Sequence, residues 1–267
     1  MGGDNGELLD LMARLRKEAR PYALATVVRT VAATSAKAGA KAVVTADGEI
    51  HGWIGGGCTR GAVRRAALQA MKDGQAHLIS VQPQEELEAG GVAAGESKGG
   101  VEFHRSACPS GGSLDVFVEP MLPRPTLVVC GASPVARAIA DLAGRSGFAV
   151  TVAALAEDQE SFAQADQRIE GFGLPEQTAA ERYIVVATQG KRDAEALRAA
   201  LASDTPYVAF VGSRRKAASL TARLREEGLA ADKAARLRSP AGLDIGAITP
   251  EEIALSIIAE VVELRRR

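Results

Sequence analysis

The sequence predicts an α/β protein in two parts: an N-terminal α+β domain with a Gly-Gly-Gly-Cys loop, then a C-terminal Rossmann-like parallel-sheet domain. Three observations carry that prediction. Through the second half, apolar strand-like runs alternate with amphipathic helical stretches, the pattern of a parallel sheet covered on both faces. The first half instead opens with one helix and continues as β-like runs joined by a hairpin turn. Between them, Met121-Leu122-Pro123-Arg124-Pro125 is the best linker candidate, which gives domains 1–122 and 123–267.

The elements follow in order. Residues 7–20 carry apolar side chains at helical spacing and end at Pro21, so an amphipathic helix is expected. Residues 22–30 and 41–45 are strands; Ala46-Asp47-Gly48 turns the chain, and residues 49–54 return as a hairpin arm. A helix from Thr59 to about Met71 is stopped by Lys72-Asp73-Gly74, and residues 77–81 begin another strand. Residues 83–100 mix Gly, Glu and Ala without a period and are expected to be a mobile loop. Residues 114–118 close this half as a strand.

In the second half, residues 127–130 and 148–153 are strands around a helix at 133–145. Further strands at 183–187 and 207–211 alternate with helices around 192–202, 214–227 and 250–265. Thr249 caps the last helix, with Pro250 in its first position and Glu252 placed for a reciprocal cap.

Composition excludes several function classes. Hydrophobic residues make up 46% and charged residues 24%, the balance of an ordinary globular chain, and no apolar run is long enough for stable membrane insertion. A net charge of −1 supplies no field to recruit nucleic acid. The start, Met1-Gly2-Gly3-Asp4, lacks the basic residues and apolar stretch of a secretory signal, so a cytoplasmic protein is expected. Three cysteines (Cys58, Cys108 and Cys130) form neither a disulfide framework nor a zinc-type spacing with the scattered histidines.

Two glycine turns stand out. Gly131-Ala132-Ser133-Pro134-Val135-Ala136 sits between strand and helix, where a dinucleotide fingerprint would sit. Its first Gly permits the tight turn, and the helix N-terminus offers amides to phosphate. Ser133 replaces the middle Gly, however, and the next strand ends at Ala154 without an acid for a ribose hydroxyl. Glu157 and Asp158 would substitute only if the loop folds back. Ordinary NAD(P) binding is therefore doubtful.

The other turn is Gly55-Gly56-Gly57-Cys58. Glycines let the backbone adopt positive φ and approach a ligand, and a helix N-terminus favours an anionic sulfur at Cys58. Arg60 and Arg64 would add positive charge nearby. Such a thiol suits soft-metal binding, sulfur carriage or nucleophilic attack; the competing reading is a small buried cysteine beside a helix cap. Cys108, in Cys108-Pro109-Ser110-Gly111-Gly112, would face the same pocket if the loops converge, and Cys130 is expected in the core. Lys37 and Lys41 are carried by a small-residue loop, 34–41, that would either hold phosphate or stand solvated. Gly212-Ser213-Arg214-Arg215-Lys216 opens a helix as a second anion site or a solvated basic start.

Together with Ala23-Leu24-Ala25-Thr26-Val27-Val28, Val116-Phe117-Val118-Glu119-Pro120, Val185-Val186-Ala187-Thr188-Gln189-Gly190 and the block 240–260, these stretches resemble the XdhC/CoxI family. That family comprises maturation factors of xanthine dehydrogenase and related molybdenum hydroxylases. The Ser133-Pro134 turn with Ala187-Thr188-Gln189-Gly190 resembles the CoxF-like branch, associated with aerobic carbon monoxide dehydrogenase. The resemblance implies a chaperone that transiently binds molybdenum cofactor, as molybdopterin or its cytosine dinucleotide form. It implies help with cofactor sulfuration and insertion into an apo-molybdenum hydroxylase, a sulfur-donating enzyme as further partner, and a homodimer. Cys58 would be the reactive residue and metal contact, with Gly55, Gly56, Gly57, Lys41 and Cys108 around it. Gly131, Ser133, Gly212, Ser213 and Arg214 would hold the rest of the cofactor. A nicotinamide-dependent oxidoreductase and a docking scaffold are the alternatives.

Overall fold

The computed structural model describes residues 5–32, 34–106, 111–175 and 181–266. The chain divides into two compact units, Met1–Pro123 and Arg124–Arg267.

The first unit is α+β. Its elements are α1 (Asn5–Lys17), β1 (Tyr22–Val31), β2 (Lys41–Thr45), β3 (Ile50–Gly52), α2 (Gly57–Asp73), β4 (His77–Pro83), α3 (Gln84–Ala89), β5 (Ser97–Lys98), β6 (Val101–Ser106) and β7 (Ser113–Met121). The strands form one sheet in the order β3-β2-β1-β7-β4-β6-β5, mostly antiparallel, with β4 and β6 parallel. Alternation sorts the side chains by face: Ala23, Ala25 and Val27 pack with α2, whereas Tyr22 and Val43 pack with Leu8 and Leu15 of α1. The buried face of α2 is built from Ala62, Val63, Ala66, Ala67 and Ala70, small enough to bring the helix close to the sheet.

The expected mobile loop at 83–100 is corrected. Part of it is α3, anchored by the fully buried Leu87, and β5 then pairs with β6. A helix of six residues is too short to display a period, yet burying one leucine contributes about 2 kcal/mol. α3 escaped the sequence pattern for that reason of length, and β6 because its one buried side chain is the polar His104.

The second unit comprises β8 (Thr126–Cys130), α4 (Pro134–Arg145), β9 (Ala149–Ala154), a 3-10 helix (Ala156–Phe162), β10 (Gln167–Glu170), β11 (Arg182–Val186), α5 (Asp193–Ala202), β12 (Tyr207–Phe210), α6 (Arg214–Glu226), α7 (Ala231–Ala235), β13 (Leu237–Arg238) and α8 (Pro250–Arg266). All pairings are parallel, in the order β10-β9-β8-β11-β12-β13. Numbered within the unit, that is 3-2-1-4-5-6, the doubly wound Rossmann order. Leu127 and Val129 face α4 and α8, while Val128 and Cys130 face α5 and α6, so both sides of the sheet are covered. Such an order leaves a crevice beyond the ends of β8 and β11, where the winding reverses.

Candidate functional site

Each unit sets a glycine turn between a strand and a helix, and the two turns are built differently. In the first unit, Gly52 has φ +97°, and a Cβ there would lie 2.6 Å from the Lys41 carbonyl oxygen. The backbone N–H of Trp53 donates to that carbonyl at 3.2 Å, and its indole N–H donates to the Ser35 carbonyl, also at 3.2 Å. The loop after β1 is thereby fastened beside the Gly-Gly-Gly-Cys turn. Gly55, at φ +115°, sits against the side chains of Thr59 and Ser35.

Gly56 and Gly57 are open: no atom lies within 4 Å of a Cβ added at either. Gly56 is the N-cap of α2, and no side chain caps the helix. The helix begins two residues before Thr59, because Thr59 is buried with its hydroxyl toward Gly55 rather than acting as the cap. Cys58 thus falls in the first turn and is exposed, which overturns the reading of a small buried cysteine. Among the described residues, Cys130 is the buried cysteine, and burial pushes its thiol up to about 12.

Other residues expected around Cys58 have different partners. Arg60 donates to the Ile50 carbonyl at 3.3 Å and Arg64 to the Gly48 carbonyl at 2.9 Å, tying α2 to the hairpin of β2 and β3. The Lys41 ammonium donates to the Thr26 hydroxyl at 3.0 Å on the neighbouring strand. Cys108 lies outside the described residues. Among the described residues, no three His, Cys, Asp or Glu side chains gather as a metal-ligating group.

In the second unit, Gly131 has φ +110°, and a Cβ there would lie 2.7 Å from both the Ala187 carbonyl oxygen and the Thr188 Cα. Only glycine lets the end of β8 pass so close to the end of β11. Ser133 caps α4 by accepting from the Ala136 N–H at 3.1 Å, and Pro134 follows at the first helical position. Of the four amides a helix start offers, one is therefore bonded to Ser133 and another is missing at Pro134; those of Ser133 and Val135 remain.

A cavity of about 160 Å³ opens at this fork, lined by Gly131 and Ser133 and by Arg137, Leu155, Asp158, Phe172 and Lys191. The strand tip at Ala154 lacks an acid, as the sequence indicated, but the 3-10 helix folds back and sets Asp158 in the wall. Asp158 is paired with Lys191 at 3.7 Å, while Glu157 is exposed. An adjoining cavity of about 230 Å³ shares Ser133, Pro134 and Gln189 and is otherwise apolar, lined by Val135, Ala187, Val211, Ile248, Pro250 and Ile253.

The basic block after β12 has mixed roles. Ser213 caps α6 by accepting from the Lys216 N–H at 3.2 Å, Gly212 leaves room for the Phe210 ring, and Arg214 is exposed. Lys216 pairs with buried Asp193 at 2.5 Å, and Asp193 also accepts from the Thr188 hydroxyl and from the Gly190 N–H at 2.9 Å. Burial raises the Asp193 pKa, but the Lys216, Thr188 and Gly190 donors outweigh it and hold the carboxyl below the usual range. The charge of Lys216 thus locks the turn after β11 to α6.

The final block is equally ordered. Glu252 accepts from the Ile248 and Thr249 amides at 2.8 and 2.9 Å, and Thr249 accepts from the Glu252 N–H at 3.3 Å, the reciprocal cap expected. Glu260 accepts from the Tyr207 hydroxyl at 2.6 Å and the Gly242 N–H at 2.9 Å, and pairs with Arg238 at 3.0 Å. These bonds hold the loop that carries Ile248, which is 84% exposed at the lip of the apolar cavity. Asp193 and Glu260 were not singled out from sequence; Asp158 was, but only as a conditional substitute.

Known proteins resemble this chain along most of its length. It is 32% identical over 261 residues to the uncharacterized protein YqeB of Escherichia coli (strain K12), covering 95% of this chain and 45% of that protein. It is also 32% identical over 165 residues to a probable xanthine dehydrogenase subunit of Bacillus subtilis (strain 168), covering 58% of this chain and 47% of that protein. The chain spans about half the length of these curated relatives. A crystal structure described as a xanthine dehydrogenase from Bacillus halodurans aligns over 97% of this chain and 95% of its own, at 19% identity and a TM-score of 0.46. The model of the XdhC and CoxI family matches residues 15–82, and that of the XdhC Rossmann domain matches residues 127–261. With both units matched, the chain belongs to the XdhC and CoxI family.

Proposed function

We propose that this protein is a cytoplasmic maturation factor for a molybdenum hydroxylase of the xanthine dehydrogenase kind. It takes molybdenum cofactor as cargo, holds it at the first glycine turn while a sulfur-donating enzyme completes the metal, and passes it to the apo-enzyme. Relatedness to the Bacillus subtilis protein supports the client class, and a homodimer belongs to the same proposal. Among the described residues, no helix is long and apolar enough to cross a membrane.

One observation carries the reading: an exposed cysteine in the first turn of a helix whose N-cap is an open glycine. Soft sulfur suits a thiolate-rich molybdenum centre, and a helix start without a side-chain cap suits the phosphate of a pterin. With no metal-ligating cluster among the described residues, Cys58 would supply one contact and the cofactor its own dithiolene sulfurs. The test is to mix the purified chain with isolated molybdenum cofactor, separate by gel filtration and measure molybdenum and pterin in the protein peak. Wild type retains both and Cys58→Ser retains neither; equal or negligible retention by the two would overturn the proposal.

A further inference from the structure

We propose that the outer face of α8 is where two copies of this chain meet, with the two helices antiparallel about a two-fold axis beside Ala259. The inference deepens the homodimer of the reading above, on which it rests, and it is independent of the cargo and of the first glycine turn.

A helix laid on a sheet turns an apolar side inward and ordinarily a charged side outward. α8 obeys the first half of that rule: Ala254, Ile257, Ile258 and Val261 are buried in the core of the second unit. It breaks the second half. Glu251, Leu255, Ala259, Val262 and Arg266 follow one another at helical intervals of three or four residues, so they share one stripe opposite the buried side. Leu255 is 52% exposed and Val262 is 38% exposed, with the small Ala259 between them. Beside the helix, the Leu243 N–H donates to the Ser256 carbonyl at 3.2 Å, and that loop adds the exposed Leu243 and Ile245.

The order of charges along the stripe selects its occupant. The centre is apolar, the N-terminal end carries Glu251, and the C-terminal end carries Arg266; both charges are exposed. Laid antiparallel on a second copy, the stripe matches at every level. Leu255 opposes Val262 of the second copy and Glu251 opposes its Arg266, and symmetry makes each pairing occur twice. Ala259 lies near the axis, where a small side chain lets the helices approach to about 8 Å. A parallel arrangement would set Glu251 against Glu251 and Arg266 against Arg266, so charge disfavours it. One helix pair is small beside a standard interface of about 1,600 Å², and Leu243 and Ile245 enlarge the contact.

Sedimentation of the full chain, fluorescently labelled and followed from nanomolar to micromolar concentration, measures the dimer dissociation constant. The variants are Val262→Glu, Glu251→Arg, Arg266→Glu and the double charge reversal. All three positions are on the exposed stripe, so the variants should fold, which circular dichroism checks. Val262→Glu is expected to weaken association by about a hundredfold, because each copy buries the new charge. Either single reversal is expected to weaken it by about five- to tenfold, and the double reversal to restore it. Restoration separates a pair across the interface from an effect on the helix itself, since both reversals oppose the helix dipole and would add. A wild-type chain that stays monomeric at micromolar concentration would overturn both this interface and the homodimer, leaving the cargo reading to its own retention test. A dimer indifferent to Val262→Glu would overturn the interface alone. So would single reversals whose losses add in the double variant.

Discussion

The two glycine turns look alike as sequence and opposite as structure. At Gly56 and Gly57 the missing side chains leave the backbone open, with an uncapped helix start and an exposed thiol. At Gly131 the missing side chain lets two strand ends close on each other, and Ser133 with Pro134 then satisfies or removes part of the helix start. Glycine count does not distinguish them. What does is the atoms a Cβ would meet and whether a side chain caps the helix.

The largest expected contrast follows directly. Gly131→Val should destabilise the C-terminal unit by about 3 kcal/mol or more, because overpacking and a strained φ add. Gly57→Ala should change stability by no more than about 0.5 kcal/mol, since its Cβ meets nothing. Urea denaturation of the two variants checks this; equal losses would erase the distinction between an open and a closed turn.

Next in size is the lock behind the closed turn. Asp193→Asn should cost about 1–2 kcal/mol at neutral pH, a figure reduced because Lys216 is partly exposed. The carboxyl is held below its ordinary range, so its contribution is complete above the unfolded pKa and disappears as pH falls through the folded one. The stability gap between wild type and Asp193→Asn should therefore narrow in acid. A gap constant down to the acid limit would mean the Lys216 pair is not its origin.

Smaller effects exchange the character of the two turns. Ser133→Ala should cost about 1 kcal/mol by removing the cap of α4, and Ser133→Gly only a few tenths. Gly56→Ser should do the reverse, adding a few tenths to stability by capping α2 while crowding the open turn and lowering cofactor retention. Thermal melts measure the first effects and molybdenum retention the last. Full retention by a more stable Gly56→Ser protein would detach openness from function.

The same physical distinction governs how much could be read in advance. The Rossmann alternation was legible because β8, β9, β11 and β12 are buried apolar runs. β10 and β13, at four and two residues on the sheet edges, offer too little pattern to find. The reciprocal cap at Thr249 and Glu252 was legible because its partners are three residues apart. Glu260 was not, since its partner Tyr207 lies 53 residues earlier in the chain. Asp158 depended on the path of a 3-10 helix, which strand-tip spacing does not encode. Cys58 could be located at a helix start, but its exposure and the open glycines before it required the fold.

The most direct test of the open turn as the cargo site is protection of its thiol. The native protein is treated with iodoacetamide at pH 8, with and without isolated molybdenum cofactor, and its cysteine peptides are mapped by mass spectrometry. Cys130 is the internal control: buried, and with a thiol near 12, it is ionised in only about one molecule in ten thousand. The expected result is Cys58 labelled without cofactor and protected with it, and Cys130 unlabelled throughout. Labelling of Cys58 at the same rate with and without cofactor would contradict the assignment.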